Sequence, residues 1–202
     1  MTSLPQEPFL TERFDSALQF AHNVHRSQPR KDTTIPYISH LISVAGLVLE
    51  SGGDEDLAIA ALLHDAVEDA EDISGEEMSD RIRAKFGDRV ADIVDGCSDA
   101  KSSPGGSKPP WRSRKEAYLE HLRSAPNDVL RVSIADKVHN ARSIATDQDR
   151  LGEELWKRFS SSSEESRWYY TSLRDIYKER ISDSYLIKEL EIALVRIWPG
   201  SK

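Results

Sequence analysis

The sequence has little of several features that mark whole classes of proteins. It contains one cysteine, Cys97, so a framework of disulfide bonds is excluded. No stretch approaches the roughly 18 uninterrupted apolar residues that a membrane-spanning helix requires. Met1–Thr11 has neither the basic start nor the apolar run of a signal peptide. These absences predict a cytoplasmic globular protein that does not interact with membranes.

An excess of basic residues is also missing. The chain has 27 Lys and Arg against 35 Asp and Glu, which gives a formal net charge of −8. Because nucleic-acid binding relies on cations that neutralise phosphates, this balance disfavours nucleic acid as a partner. The charge is unevenly distributed, however. Residues 50–80 contain twelve acidic residues and no Lys or Arg, whereas residues 101–115 contain five Lys or Arg and no acid.

Alternation of polar and apolar residues, the pattern of half-buried strands, is absent beyond a few residues. Apolar residues instead recur at helical spacing, which predicts an all-α fold. The run Leu57–Leu63 is apolar on all sides and therefore indicates a buried central helix. Later helices are predicted over residues 79–86, 90–97, 111–123, 128–144, 165–180 and 184–197.

We find no internal repeat and no domain boundary. The sequence therefore predicts one domain over residues 1–202, with its core at about 14–180 and a C-terminal helix at 184–197. Residues 102–110 are rich in Ser, Gly and Pro and lack an apolar anchor, which predicts a mobile loop. This loop interrupts a continuous series of helices and does not separate two cores.

Four ionisable residues follow directly after the apolar run. His64, Asp65, Glu68 and Asp69 would form two adjoining stripes if the helix continued through them, because each stripe pairs residues four apart. Burying this much charge unpaired costs several kcal/mol per ion, so we expect a compensating cation, and a divalent metal is the simplest one. The alternative interpretation is the solvated end of a helix.

Two further residues could complete a metal site. His40 opens an apolar helix, and Asp136 follows the largely apolar segment 132–135, with Asn140 four residues later on the same face. A lone histidine is more often a structural residue than a ligand, so the combination carries the argument. Two His and two Asp would form a mixed nitrogen and oxygen shell that suits Mn²⁺, Fe²⁺ or Zn²⁺ and leaves positions open for water.

The positions of His40, the pair His64-Asp65, and Asp136 resemble the H…HD…D signature of HD-domain metal phosphohydrolases. The surrounding residues are similar to the hydrolase domain of RelA/SpoT proteins, and most of all to the stand-alone small alarmone hydrolases of the metazoan SpoT homologue type. The resemblance covers about residues 14–180. The segments that carry it are RKD at 30–32, PYISH at 36–40, ALLHDAVED at 61–69 and ADKVHNAR at 135–142.

This resemblance implies an all-helical HD-domain bundle and a Mn²⁺ ion held by His40, His64, Asp65 and Asp136. It implies removal of the 3′-pyrophosphate from ppGpp or pppGpp, which yields GDP or GTP and pyrophosphate.

The resemblance also implies roles for residues around the metal. It assigns Glu68 and Asp69 to the water side of the reaction, as the catalytic pair. The residues expected at the nucleotide are Arg30, Lys31, Asn140 and Tyr169. The basic block supplies further candidates for the phosphates, chiefly Lys101 and Arg112, together with Arg114 and Lys115.

Two alternatives remain open at this point. The chain could be an HD phosphohydrolase for another nucleotide, such as (p)ppApp or NADPH. It could also be a non-catalytic alarmone-binding module, which predicts degraded metal-site or water-side residues. The oligomeric state is not evident from the sequence. The residues expected as metal ligands and the residues expected to act on water are all intact, which favours an enzyme. These six residues are His40, His64, Asp65, Glu68, Asp69 and Asp136.

Overall fold

A computed structural model describes residues 9–69, 73–99, 109–181 and 185–200 of the chain. These residues form nine α-helices and one 3₁₀ helix, and their one β pairing is an isolated bridge between Pro29 and Pro36. The all-α prediction is therefore confirmed. The α-helices are α1 Glu12–Val24, α2 Ile38–Glu50, α3 Glu55–Leu63, α4 Gly75–Phe86, α5 Asp88–Cys97, α6 Trp111–Ser124, α7 Asn127–Leu151, α8 Ser163–Arg180 and α9 Tyr185–Ile197; the 3₁₀ helix is Gly152–Arg158.

The short helix α3 lies at the centre of the bundle. Every residue from Leu57 to Leu63 is buried, because α1, α2, α5 and α7 all pack around this helix. Its first turn is closed by the Asp54 side chain, which accepts a hydrogen bond from the Leu57 backbone N–H at 3.0 Å. The uniformly apolar run therefore forms a helix that is buried on all sides, as the sequence predicts.

The prediction that this helix continues through Asp69 is wrong, because α3 ends at Leu63. The chain then turns, with the N–H of Glu68 bonded to the carbonyl of Asp65 at 3.1 Å. A continuous helix would stack Glu68 over His64. The turns instead send the carboxylates of Glu68 and Asp69 to partners in different parts of the fold.

Several helices begin earlier or end later than the apolar pattern predicts. Helix α8 begins at Ser163 because Ser162 and Glu165 form a capping box, in which each side chain bonds the backbone N–H of the other residue. Helix α7 continues to Leu151, where Gly152 ends it with a φ of +57°. Its last two turns are largely polar, so they carry no apolar spacing that could mark them.

One hydrophobic core contains residues from all nine of these helices. Helix α9 covers α7 on one side of the molecule, and none of the described helices combines the length and apolarity that crossing a bilayer requires. Of the loop predicted over 102–110, only Pro109 and Pro110 belong to the described residues; the rest lies outside them.

Candidate metal centre and substrate cleft

The fold brings four sequence-predicted side chains together at the junction of α2, α3 and α7. His40 Nε2 lies 3.5 Å from Asp65 Oδ2 and 3.2 Å from Asp136 Oδ1. His64 Nε2 lies 3.2 Å from Asp65 Oδ2 and 3.7 Å from Asp136 Oδ1. Residues from three separate segments thus direct nitrogen and oxygen atoms at one point.

The geometry of this cluster fits a divalent metal ion. One ligand atom each from His40, His64 and Asp65 lies within 4.8 Å of the others. His64 Nδ1 donates to the carbonyl of Ala61 at 2.8 Å, which leaves Nε2 facing the cluster. This buried Nε2 lies 3.2 Å from Asp65 Oδ2, but the two atoms are not aligned as a hydrogen bond, and Nε2 has no other hydrogen-bond partner among the described residues. A buried imidazole nitrogen between carboxylates is the arrangement that a metal ion completes.

The charges of the cluster keep its carboxylates ionised. Burial alone would raise the pKa of Asp65, but the neighbouring His64 and His40 hold that pKa well below its usual range. Burial opposes ionisation of Asp136 as well, and the charge of Lys137 holds its pKa well below the usual range. Lys137 Nζ lies 2.5 Å from Asp136 Oδ2. Both carboxylates are therefore in the form that binds a metal ion.

A second set of residues holds the cluster in place. Tyr37 OH donates to Asp65 Oδ2 at 2.6 Å, and Asn140 Nδ2 donates to Asp136 Oδ1 at 2.5 Å. His139 Nδ1 lies 2.7 Å from His40 Nδ1. Sequence reasoning assigned no role to Tyr37 or His139, although both lie within the segments that carry the family resemblance. Such partners fix the orientation of the groups that bind a metal.

Glu68 and Asp69, the two residues predicted to act on the attacking water, lie in different surroundings. Glu68 lines a cavity beside the cluster, and its Oε1 accepts a hydrogen bond from the Asp99 backbone N–H at 2.8 Å. Asp69 Oδ2 accepts from Gln28 Nε2 at 2.9 Å. Asp69 is not among the described residues that line the cavity.

Two adjoining cavities open beside the cluster. The smaller one, which we call the inner chamber, has a volume of about 190 Å³ and is lined by Asp65 and Asp136. The larger one, the outer cleft, has a volume of about 970 Å³, which is enough for a nucleotide-sized ligand. Six residues line both cavities: Arg30, Tyr37, Lys115, Lys137, Asn140 and Tyr169.

The outer cleft is basic and rich in aromatic rings, although the protein as a whole is acidic. Two acidic residues, Asp32 and Asp147, line it against seven Lys or Arg. This lining favours an anionic ligand with a planar ring system. The basic residues are Arg30, Lys31, Lys115, Lys137, Arg142, Arg150 and Arg158, and the aromatic rings belong to Tyr37, Trp111, Phe159, Tyr169 and Tyr170.

Four of the six predicted nucleotide-binding residues line this cleft: Arg30, Lys31, Asn140 and Tyr169. Arg112 does not; its guanidinium lies 3.3 Å from the centroid of a Trp168 ring, and its Nε donates to Glu116 at 2.7 Å. Lys101 lies outside the described residues. Lys115, one turn beyond Arg112 on the same helix, faces both cavities.

Comparison with known proteins adds independent information. A family model described as HD domain matches residues 17–160. The guanosine-3′,5′-bis(diphosphate) 3′-pyrophosphohydrolase MESH1 of Xenopus tropicalis is 36% identical over 131 residues, which cover 63% of this chain and 67% of that protein. A probable guanosine-3′,5′-bis(diphosphate) 3′-pyrophosphohydrolase of Synechocystis is 36% identical over 155 residues, which cover 74% of this chain and 18% of that protein.

Solved structures agree on the fold. The structure of a metazoan orthologue of SpoT that hydrolyses ppGpp superposes with a TM-score of 0.72 at 24% identity, over 96% of this chain and 97% of that one. A Listeria monocytogenes protein superposes with a TM-score of 0.64 at 27% identity, over 78% of this chain and 97% of that one.

Proposed function

Since the chain belongs to the HD domain family and is homologous to the MESH1 and SpoT-type ppGpp hydrolases, we propose that it is a metal-dependent 3′-pyrophosphohydrolase of ppGpp and pppGpp. The observation that carries the proposal is the placement of the His and Asp cluster beside a basic, aromatic cleft. We propose Mn²⁺ as the metal, with His40, His64, Asp65 and Asp136 as its ligands.

When bound, the metal would stabilise charge on a phosphoryl oxygen and lower the pKa of a bound water. The chain's own residues prepare the site for this chemistry. Tyr37 and Asn140 hold the Asp65 and Asp136 carboxylates by short hydrogen bonds. The carbonyl of Ala61 holds His64 so that Nε2 points to the cluster.

In the reaction, the oxygen of water bonds to the phosphorus attached to the ribose 3′-oxygen. The bond from that phosphorus to the 3′-oxygen breaks, and the 3′-oxygen takes up a proton. Glu68 is proposed as the general base, since it lines the inner chamber and the Asp99 N–H holds one of its oxygens. General-base assistance contributes roughly 10²- to 10⁴-fold. Asp69 is proposed to act on the same water, and Gln28 donates a hydrogen bond to its carboxylate.

The nucleotide would occupy the outer cleft. The Arg30 guanidinium lies 5.7 Å from the Tyr37 ring centroid and donates to Asn140 Oδ1 at 2.8 Å, which holds its plane ready to stack on a purine. Lys31 Nζ lies 5.7 Å from the Phe159 ring centroid. Tyr169 adds a ring at the boundary between the two cavities.

The experiment that tests this proposal is a substrate panel. Purified protein with Mn²⁺ is incubated with ppGpp, pppGpp, ppApp and NADPH, and pyrophosphate and phosphate are measured separately. We expect pyrophosphate from the guanosine alarmones and no release by the His64→Ala variant. Phosphate release from NADPH alone would indicate an HD phosphohydrolase for another nucleotide. Binding of ppGpp without turnover would indicate an alarmone-binding module.

A further inference from the structure

His25 is a buried histidine that lies outside the metal cluster. It ends helix α1, where its backbone N–H donates to the carbonyl of Ala21 at 3.1 Å, and only 3% of the residue is exposed. His25 is not among the described residues that line either cavity. Burying a polar ring is unfavourable unless it finds hydrogen-bond partners, so those partners indicate what the residue does.

The His25 ring begins a hydrogen-bonded chain that ends at Asp69. His25 Nδ1 lies 2.7 Å from Gln28 Oε1, and Gln28 Nε2 donates to Asp69 Oδ2 at 2.9 Å. An amide oxygen only accepts, so Nδ1 carries a proton and donates it. Among the described residues His25 Nε2 has no hydrogen-bond partner, and a proton there would be buried without an acceptor. The chain therefore runs in one direction, from His25 through Gln28 to the Asp69 carboxylate.

The orientation of the Gln28 amide matters because Asp69 does not belong to a helix. Helix α3 ends at Leu63, and Asp69 follows after a series of turns. A carboxylate accepts hydrogen bonds and repels an amide oxygen. The last torsion of a glutamine side chain is broad and roughly twofold, so an amide without a second partner can turn its oxygen towards Asp69. The donor at His25 Nδ1 selects the orientation in which the amide nitrogen faces Asp69.

The same ring also supports Tyr37. The two rings stack, with their centroids 4.9 Å apart and their planes at 21°. Tyr37 OH donates to Asp65 Oδ2 at 2.6 Å, and the Tyr37 backbone N–H donates to the Gln28 carbonyl at 2.9 Å. A stacked neighbour limits the directions in which a tyrosine ring can turn. His25 therefore contacts the partners of two carboxylates that the proposed reaction uses, Asp69 and Asp65.

We infer that His25 is a positioning residue with two separate tasks. Its Nδ1–H orients the Gln28 amide towards Asp69, and its ring holds Tyr37 against Asp65. The inference rests on the proposed function for what Asp69 and Asp65 do in the reaction. It goes further by assigning their orientation to a residue outside both cavities.

Two substitutions of His25 separate these tasks. His25→Asn keeps an N–H donor bonded to Cγ, as Nδ1 is, but has no ring. His25→Phe keeps a ring that can stack on Tyr37 but has no donor. With saturating Mn²⁺, His25→Phe should lower kcat for ppGpp about 5- to 10-fold, as expected for one lost hydrogen bond, and leave KM within about twofold. His25→Asn should keep kcat within about twofold and weaken Mn²⁺ binding about 3- to 10-fold, since Tyr37 loses its stacking partner.

A double-mutant cycle with Gln28 shows whether the chain to Asp69 acts as a unit. Gln28→Leu should lower kcat about as much as His25→Phe does. Adding His25→Phe to Gln28→Leu should lower kcat no further, because the link to Asp69 is already broken. Independent losses that multiply would show that His25 acts through the general packing of α1, and they would overturn the inference.

His22 is the matched control, because it is exposed and lies on the same helix. His22→Asn and His22→Phe should leave kcat and Mn²⁺ affinity unchanged. Circular dichroism shows whether each variant is folded. Unchanged kcat in a folded His25→Phe protein, a rise in KM in place of the fall in kcat, or equal losses of kcat in both His25 variants would refute the two tasks.

A further measurement needs neither turnover nor a substitution. NMR of the wild-type protein with ¹⁵N-labelled histidine should show His25 as the Nδ1–H tautomer, with a slowly exchanging proton. The Nε2–H tautomer would overturn the inference even if the protein hydrolyses ppGpp, because Gln28 would then turn its amide oxygen to Asp69. If the protein hydrolyses no 3′-pyrophosphorylated nucleotide, the Nδ1–H tautomer together with weaker Mn²⁺ binding in His25→Asn would support the inference and contradict the proposed function.

Discussion

His40 and His139 face each other through their Nδ1 atoms, which lie 2.7 Å apart. One of the two nitrogens must donate and the other must accept. Burial and the neighbouring His40 lower the pKa of His139 to about 4, so His139 is neutral at pH 7. For His40 to present a lone pair at Nε2, its proton must be on Nδ1, and His139 Nδ1 must then be the acceptor.

We expect His139→Phe to weaken metal binding about 10- to 100-fold, because it removes the acceptor that orients His40. His139→Gln retains an acceptor oxygen and should lose less. The measurement is Mn²⁺ affinity by calorimetry, with the substitution of the exposed His22 by Gln as the control. An unchanged affinity in a folded His139→Phe protein would contradict this role.

Substitutions in the metal cluster and at Glu68 should affect metal binding and activity differently. His64→Ala should abolish metal binding and activity together, since it removes one of the clustered ligand atoms. Glu68→Gln should bind the metal normally and lower kcat about 10²- to 10⁴-fold, because an amide cannot accept the proton of water. Metal content and ppGpp turnover are measured on the same samples. Full activity of Glu68→Gln would refute the general-base assignment.

Arg30 and Arg112 provide a contrast between the structure and the sequence expectation. Arg30 lines both cavities, whereas Arg112 is held by Trp168 and Glu116 away from them. We expect Arg30→Ala to raise KM for ppGpp about 10- to 100-fold, as loss of a charge-assisted contact does. Arg112→Ala should raise KM much less. Steady-state kinetics of both variants decide between these expectations, and the reverse order would contradict the placement of Arg30.

Asp99 should make stability depend on pH. The carboxylate is only 5% exposed and pairs with Arg114 and Lys115. Burial would raise its pKa, but Lys115 and Arg114 keep that pKa below the usual 3.8. A group with a lowered pKa stabilises the fold above about pH 4 and loses that contribution as the pH falls through its folded value.

Asp99→Asn should therefore lower the free energy of unfolding by about 3–5 kcal/mol at pH 7, as expected when a buried ion pair loses one partner. The difference from the wild type should shrink as the pH falls below 4. Denaturant unfolding at several pH values provides the measurement. A difference that stays constant down to pH 2.5 would show that the carboxylate charge is not the cause.

Gly96 lies where α5 meets α7. A Cβ atom at this position would be 2.5 Å from Val129 Cγ2 and 3.1 Å from Cγ1. Gly96→Ala should lower the free energy of unfolding by about 1–3 kcal/mol through overpacking, and adding Val129→Ala should recover part of the loss.

Gly46 in α2 is the matched control, because a Cβ there meets no atom within 4 Å among the described residues. Gly46→Ala should raise the free energy of unfolding by about 0.5–1 kcal/mol, since alanine favours a helix interior. Urea unfolding of these three variants and of the wild type measures all of these effects. An equal response at both glycines would contradict the close approach at Gly96.

Local sequence patterns predict much of this protein. Helical spacing predicts an all-α fold, and the apolar run from Leu57 to Leu63 predicts the helix that the core surrounds. These predictions succeed because a helix that packs on a core needs apolar residues at helical spacing. That spacing can be recognised within a single segment of the sequence. Helix ends are harder to predict: α3 ends at Leu63, and after the turns that follow it Glu68 accepts a hydrogen bond from Asp99. That partner lies 31 residues away and leaves no trace in the local pattern.

The sequence by itself determined the helical class and named four residues, His40, His64, Asp65 and Asp136, that the fold brings together in one cluster. It did so because residue type sets both helical periodicity and the ability to bind a metal. Only the tertiary structure decided which cations face the cavities, with Lys115 inside and Arg112 stacked on Trp168. It also decided that His139 supports His40 across a separation of 99 residues. Such choices depend on the direction of each side chain once the helices pack, and that direction is set by neighbours from distant segments.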